Sequence, residues 1–253
     1  FAHLLAGIPY SFTAHAKDIY LNTVDPDLLR DKMRAAQFVV TVSEFNRAHL
    51  ARLSANAGRT SMRGLLPLTR LALPPDRVRR LFNGIDLEQF NAGPANSQEQ
   101  TNAPNPGGLI LSVGRLVEKK GFDVLIRACG ILRDAGLPFQ CEIAGKGPEE
   151  ALLRSLIRAL GLVERVRLLG PKPQEEIVAA YRRAAVFALP CVIGADGNRD
   201  GLPTVLLEAM ALRLPVVSTD VTGVPEIIDD GVTGLIIPQN DAPALASALT
   251  LLL

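Results

Sequence analysis

The chain has 253 residues, 48% hydrophobic and 21% charged, with a formal net charge of +1. That length can bury the cores of one large domain or two small ones, and the balanced charge supplies no global field for nucleic acid. The absence of Trp, only three Tyr, and three cysteines (Cys129, Cys141, Cys191) with no CxxC or Cys/His cluster argue against base stacking and a structural zinc, and predict reduced thiols in a cytosolic protein.

In chain order, the segments 10–14 (YSFTA), 38–42 (FVVTV) and 78–82 (VRRLF) are predicted strands separated by helix-like stretches. Residues 91–108 (NAGPANSQEQTNAPNPGG) contain almost no large apolar side chain and are predicted to be a linker or surface excursion. Six short runs follow, at 109–113, 139–144, 166–170, 186–190, 215–219 and 234–238, with helical patterns between most of them. Alternating strand and helix predicts a parallel sheet covered on both faces. The expected organisation is an N-terminal unit over 1–90, a linker over 91–108 and a C-terminal unit over 109–253. No apolar run reaches membrane-spanning length and no signal peptide is visible. The first residue is Phe and both ends fall inside helix-like patterns, which predicts a longer natural protein.

Ligands of parallel sheets bind beyond the strand C-termini, and the polar motifs fall in those loops. In SVGRLVEKKGFDVLI (112–126), Gly114 permits close backbone approach, and Arg115 and Lys120 bracket a turn ahead of a helix. Cations there oppose the helix dipole unless a diphosphate binds, Arg as a fork and Lys as a point charge. The alternative is a pair of solvated charges. IAGKGPEEALL (143–153) carries Gly145 and Gly147 but has Glu150 where a dinucleotide fingerprint needs its third Gly, so it is a nucleotide-pocket loop or a plain tight turn. His15 follows a predicted strand, as a ligand contact or as a packed or surface imidazole. Asn83-Gly84 suits a turn tolerating positive φ and a hinge entry. Around VTGVPEIIDDG (221–231), Glu226 is expected to open a helix, with structural and sugar-contact roles both open.

The most informative stretch is DGLPTVLLEAMA (200–211). Asp200 and Glu208 have seven residues between them; Pro203 suits a first helical turn and the following residues are good helix formers. One carboxylate is then at the mouth of a helix and the other about one turn inside, beside free N–H groups that bind anions and hydroxyls. Taken alone, Asp200 could be a loop cap and Glu208 a solvated helix residue. No Ser nucleophile elbow, Walker loop or HExxH helix is present.

Together, in this order, these motifs resemble the retaining glycosyltransferases of family 4, and CVIGADGNRDGLPTVLLEAMA (191–211) is similar to the bacterial exopolysaccharide, colanic-acid branch. The resemblance implies an α/β, GT-B fold: two Rossmann-like domains with parallel sheets, the N-terminal one incomplete here, since no Gly-rich loop precedes Phe1. It implies that Glu208 holds the donor ribose and that Asp200, with the backbone of Gly201 and Leu202, meets the donor sugar. Arg115 and Lys120, beside Gly114, would bind the diphosphate, Gly145 and Gly147 would border the nucleotide, and His15 would face the transferred sugar. Asp200 is one methylene shorter than the family's usual Glu. The implied activity is metal-independent and cofactor-independent transfer of a sugar, with retention, from a UDP- or GDP-type donor to a saccharide or lipid-linked acceptor, with no nucleic acid partner. Peripheral association with the inner membrane face, for instance through basic residues 52–70, is a further expectation. The alternatives are a non-catalytic nucleotide-sugar-binding module and, against the incomplete Gly fingerprint, a nicotinamide oxidoreductase.

Overall fold

The computed structural model describes residues 7–55, 77–91 and 107–253. Most of the expected linker and of the basic stretch 52–70 lies outside these residues. Two parallel sheets organise the rest. The first has the order β1 (Phe12–Thr13), β2 (Val39–Thr41), β3 (Val78–Arg80). Helices Ala16–Tyr20, Pro26–Ala35 and Glu44–Ala55 follow its strands. The second of these starts where its sequence says it should: Asp25 accepts from the N–H groups of Asp27 and Leu28, and Pro26 occupies the first turn.

The second sheet has six strands, β4 (Gly108–Val113), β5 (Phe139–Ala144), β6 (Val166–Gly170), β7 (Val186–Leu189), β8 (Val216–Thr219) and β9 (Leu235–Ile237), in the spatial order β6-β5-β4-β7-β8-β9. The chain builds outward from β4 to β6, then crosses to the other side of β4 to lay down β7. Helices Phe122–Asp134, Glu150–Ala159, Gln174–Arg183, Thr204–Ala211 and Ala242–Leu252 cover the two faces. Ile110, Leu111, Ile143, Val186 and Phe187 are fully buried among them. Each such side chain contributes about 1.5–3 kcal/mol of burial. Strands covered on both faces need continuous rather than alternating apolar residues, which is why these runs were legible.

Three local expectations are corrected. β3 ends at Arg80, not Phe82, because its partner β2 ends at Thr41, the residue paired with Arg80; beyond it Leu81 and Phe82 are exposed. Neither Asn83 nor Gly84 has a positive φ. Glu226 opens no α-helix: Val224–Glu226 is a single 3-10 turn, and the Glu226 carboxylate faces a helix of the other sheet.

Candidate donor-binding site at the sheet switch point

The crossover places the C-terminal ends of β4 and β7 side by side, the point where an open parallel sheet leaves a crevice. Loops 114–121 and 190–203 meet there. Gly121 makes the approach possible: its φ is +64°, and a Cβ would fall 1.9 Å from the Pro190 carbonyl oxygen. The Val192 N–H donates to the Lys119 carbonyl at 3.0 Å, stitching the two loops.

The contact between the loops is ionic. Lys119 Nζ is 2.9 Å from Asp200 Oδ1, and Lys120 Nζ is 2.5 Å from Asp200 Oδ2. The Cys191 thiol donates to Asp200 Oδ2 at 3.6 Å. Burial opposes the charge on Asp200, but the two lysines outweigh it and hold the carboxyl below its usual range. Burial likewise works against the Lys120 ammonium, and Asp200 more than offsets it, so that pKa is raised. Burial first, and then the Asp200 charge, push the Cys191 thiol well up, so it remains a neutral donor. The conflict between Lys120 and the helix dipole, anticipated from the motif, is met in this structure by Asp200 itself.

On the β4–β5 side lies a cavity of about 300 Å³, bordered by Gly114, Arg115, Gly145, Lys146, Lys172 and Glu208, among others. Gly145 must be glycine: its φ is +148°, and a Cβ would sit 1.8 Å from the Gly114 carbonyl oxygen. Gly147 is needed for a different reason. It packs on the backbone of Leu116 and braces the loop without bordering the cavity. Arg115 is exposed at the rim. Pro203 is the N-cap of the helix Thr204–Ala211 rather than its first residue, and Glu208 is one turn inside, as its spacing required. Glu208 is half-buried, and that burial raises its pKa, partly countered by hydrogen bonds from Tyr181 and Gln174. The lysine clamp and the cavity are contiguous: the Lys120 side chain lies over Gly114, its Cε 3.2 Å from where a Cβ would be.

Gly201 and Leu202 run along the seam between the sheets. A Cβ on Gly201 would touch Asn46, Val42 and Ala16, at 3.2, 3.4 and 3.5 Å. Ala16 follows His15, which is exposed at the N-terminus of the helix Ala16–Tyr20, its N–H donating to Asp18 Oδ2 at 3.1 Å. Leu202 is buried, and neither it, Asp200, Lys120 nor His15 borders the 300 Å³ cavity. The sequence-predicted residues thus form a chain of neighbours, from Glu208 and Arg115 through Gly114, Lys120 and Asp200 to Gly201, rather than one ring.

The seam is held by specific contacts. Glu226 accepts from the N–H groups of Glu44 and Phe45, both at 2.7 Å, at the start of the helix Glu44–Ala55. Asn22 donates to Asp196 O (2.8 Å) and Ala195 O (3.1 Å), and Arg199 stacks 4.4 Å over the Tyr20 ring.

The family model for Glycosyl transferases group 1 matches residues 95–253. The chain belongs to the group 1 glycosyl transferases. WcaL of Escherichia coli strain K12, named for a glycosyltransferase of colanic acid biosynthesis, is 41% identical over 182 residues, covering 72% of this chain and 43% of its own. The amylovoran biosynthesis glycosyltransferase AmsK of Erwinia amylovora is 41% identical over 193 residues, covering 73% and 46%. This group 1 chain therefore spans less than half the length of those relatives. The crystal structure of Anabaena HepE in complex with UDP and glucose superposes with a TM-score of 0.75 at 19% identity, covering 99% of this chain and 63% of that one. The architecture is the GT-B fold, with parallel sheets as expected. No helix among the described residues is long and apolar enough to cross a membrane.

Reasoning from sequence missed four residues of this candidate site. Lys119 stood beside Lys120 in the motif and could have been found there. Cys191, Tyr181 and Gln174 carry no signal, since each reads as an ordinary core or helix residue until the folding of its loop (Cys191) or the packing of neighbouring helices (Tyr181, Gln174) sets it against a carboxylate.

Proposed function

We propose that this chain binds a nucleotide-sugar donor at the switch point, and that the protein it represents transfers the sugar, with retention and without a metal, to a saccharide or lipid-linked acceptor. The observation that carries the reading is the contiguity of a half-buried carboxylate, a glycine-walled cavity and a cation cluster along one sheet edge. Lys119 and Lys120 pair with the one carboxylate of Asp200, and Arg115 adds its charge beside Lys120. That leaves net positive charge for a diphosphate. The names of WcaL and AmsK, and the UDP and glucose bound by HepE, favour the same chemistry.

In this mechanism the nucleoside occupies the cavity, with its ribose hydroxyls donating to Glu208. The diphosphate lies beside Gly114, whose missing side chain makes room for the Lys120 stem, and meets Arg115, Lys120 and Lys119. As the sugar–phosphate bond breaks, charge grows on the leaving diphosphate. Cations that have already turned to the bound donor stabilise it without reorganising further, which is electrostatic catalysis by preorganisation, and they supply the charge a divalent cation would otherwise bring. Asp200 has two tasks: it keeps the two ammonium groups together before the donor arrives, and it offers acceptor oxygens to the donor sugar as the lysines turn to phosphate. His15 and the N–H groups at Gly201–Leu202 approach the sugar from the seam. The acceptor hydroxyl oxygen forms the new bond to the anomeric carbon and its proton passes to the leaving diphosphate oxygen, so neither carboxylate transfers a proton and the separation rules of glycoside hydrolysis do not apply.

Calorimetric titration with UDP and GDP, on the wild type and on Lys120→Ala and Glu208→Ala, tests the donor half. Each variant is expected to lose about tenfold or more in affinity, the worth of one hydrogen bond to a charged group. Unchanged affinity in both removes the site. Transfer from the bound donor in the presence of EDTA tests metal independence, and donor binding without any transfer would leave a nucleotide-sugar-binding module.

A further inference from the structure

Tyr181 lies on the helix Gln174–Arg183 and is 1% exposed. Its ring packs at 5.4 Å against Phe187 of β7, the central strand beside the crossover. A tyrosine in that place could be a core residue and no more. Its hydroxyl, however, lies 3.2 Å from Glu208 Oε2 and 3.2 Å from the Val205 carbonyl oxygen, on the first two turns of the next helix. One proton serves two acceptors, and the carboxylate is the stronger.

We propose that Tyr181 is a positioning residue for Glu208, holding one carboxylate oxygen against the wall so that the group presents a single orientation to the cavity. The proposal rests on Glu208 being the donor-binding carboxylate. A Glu side chain has three rotatable bonds, and a free carboxylate at a cavity wall would sample several of them before a ribose arrived. Tyr181 removes that freedom in advance, because its own ring is buried and packed against Phe187. It cannot lose its proton in the working range: burial, and then the Glu208 charge, push the phenol well above its ordinary value. It is therefore a donor across the pH 5–8 range in which binding is titrated. The other polar groups around Glu208 on the cavity wall are Arg115, Lys146 and Lys172, with Gln174 as the second donor.

Tyr181→Phe keeps the ring and its packing and deletes only the hydroxyl. The experiment is calorimetric titration with UDP and GDP from pH 5 to 8 for wild type, Tyr181→Phe, Glu208→Gln and the double variant, with thermal unfolding of each as a check on folding. Tyr181→Phe is expected to bind three- to tenfold more weakly and to lose affinity at a higher pH than wild type as acid is added, since the carboxylate then lacks a donor. In the Glu208→Gln background the same change is expected to have less than a twofold effect, because the carboxylate it positions for the ribose is no longer there. If Glu208→Gln is weakened while Tyr181→Phe matches wild type in affinity and pH profile, Tyr181 is a core residue and the inference fails alone. If Glu208→Gln binds as wild type does, the donor reading of Glu208 fails and takes this inference with it. Equal losses from Tyr181→Phe in both backgrounds would show a general packing effect, and that too overturns it.

Discussion

Replacing Asp200 by Asn is the most demanding perturbation this structure offers. The side chain is nearly the same size, so packing is retained, but the charge between two lysines is removed. Asp200 is 9% exposed, with ammonium groups at 2.9 and 2.5 Å. At about 3 Å and an effective dielectric near 20, each attraction is roughly 5 kcal/mol before the cost of dehydrating the ions. That cost cancels most of it. What the variant exposes is the other side of the balance: two lysines left facing each other, Lys120 13% and Lys119 23% exposed at the side chain. Removing one partner of a buried pair costs about 3–5 kcal/mol. Lys119 can turn partly to water, so the low end applies, about 3 kcal/mol, or about 6–12 °C in Tm. Urea unfolding across pH is the assay. A carboxyl whose native pKa is depressed stabilises above its unfolded value near 3.9, and that stability is lost as pH falls through the native value. Lys120, whose pKa is raised, stabilises below about 10.4 and loses its contribution as pH rises through the native value. The gap between wild type and Asp200→Asn should thus be flat from about pH 5 to 10 and close on either side. A gap under about 1 kcal/mol at pH 7, or one independent of pH down to about 2, would refute the clamp.

Two further substitutions probe the frame around the site. Gly145→Ala places a Cβ 1.8 Å from the Gly114 oxygen at a φ of +148°, and two backbones must part to admit it. The expected loss is about 3 kcal/mol or more, together with loss of nucleotide binding. Wild-type stability in the same urea titration would contradict the geometry. Glu226→Ala removes the acceptor of two 2.7 Å bonds across the seam; amide exchange at Glu44 and Phe45 should quicken about fivefold, the kinetic equivalent of a lost helix cap worth about 1 kcal/mol. Unaltered protection at those two amides would mean the helix start is held by something else.

How much was legible follows from where the information is local. The strands of the second sheet were readable because burial on both faces favours short runs rich in apolar residues, as in LIL and VFAL, and the turn glycines mark their ends. Glu208 was readable because helical spacing from Pro203 puts it one turn inside. β3 was overextended because strand length depends on its partner: VRRLF is apolar enough to continue, yet β2 has ended. Glu226 was misassigned because a Glu after Gly-Val-Pro looks like a helix start, while its carboxylate is used by backbone groups more than 180 residues away.

By itself the sequence determined the parallel α/β character, the loops that carry chemistry, and the acidic and basic residues within them, since hydrophobic period, turn chemistry and helix start signals act over a few residues. Tertiary structure alone decided that Asp200 answers two lysines, that Cys191 and Tyr181 each donate to a carboxylate, and that Gly147 braces a loop while Gly145 walls the cavity. The lysine pairing depends on β7 crossing to the far side of β4, which brings together groups some 80 residues apart in the chain; the others follow from how neighbouring loops and helices pack, and none leaves a periodic trace.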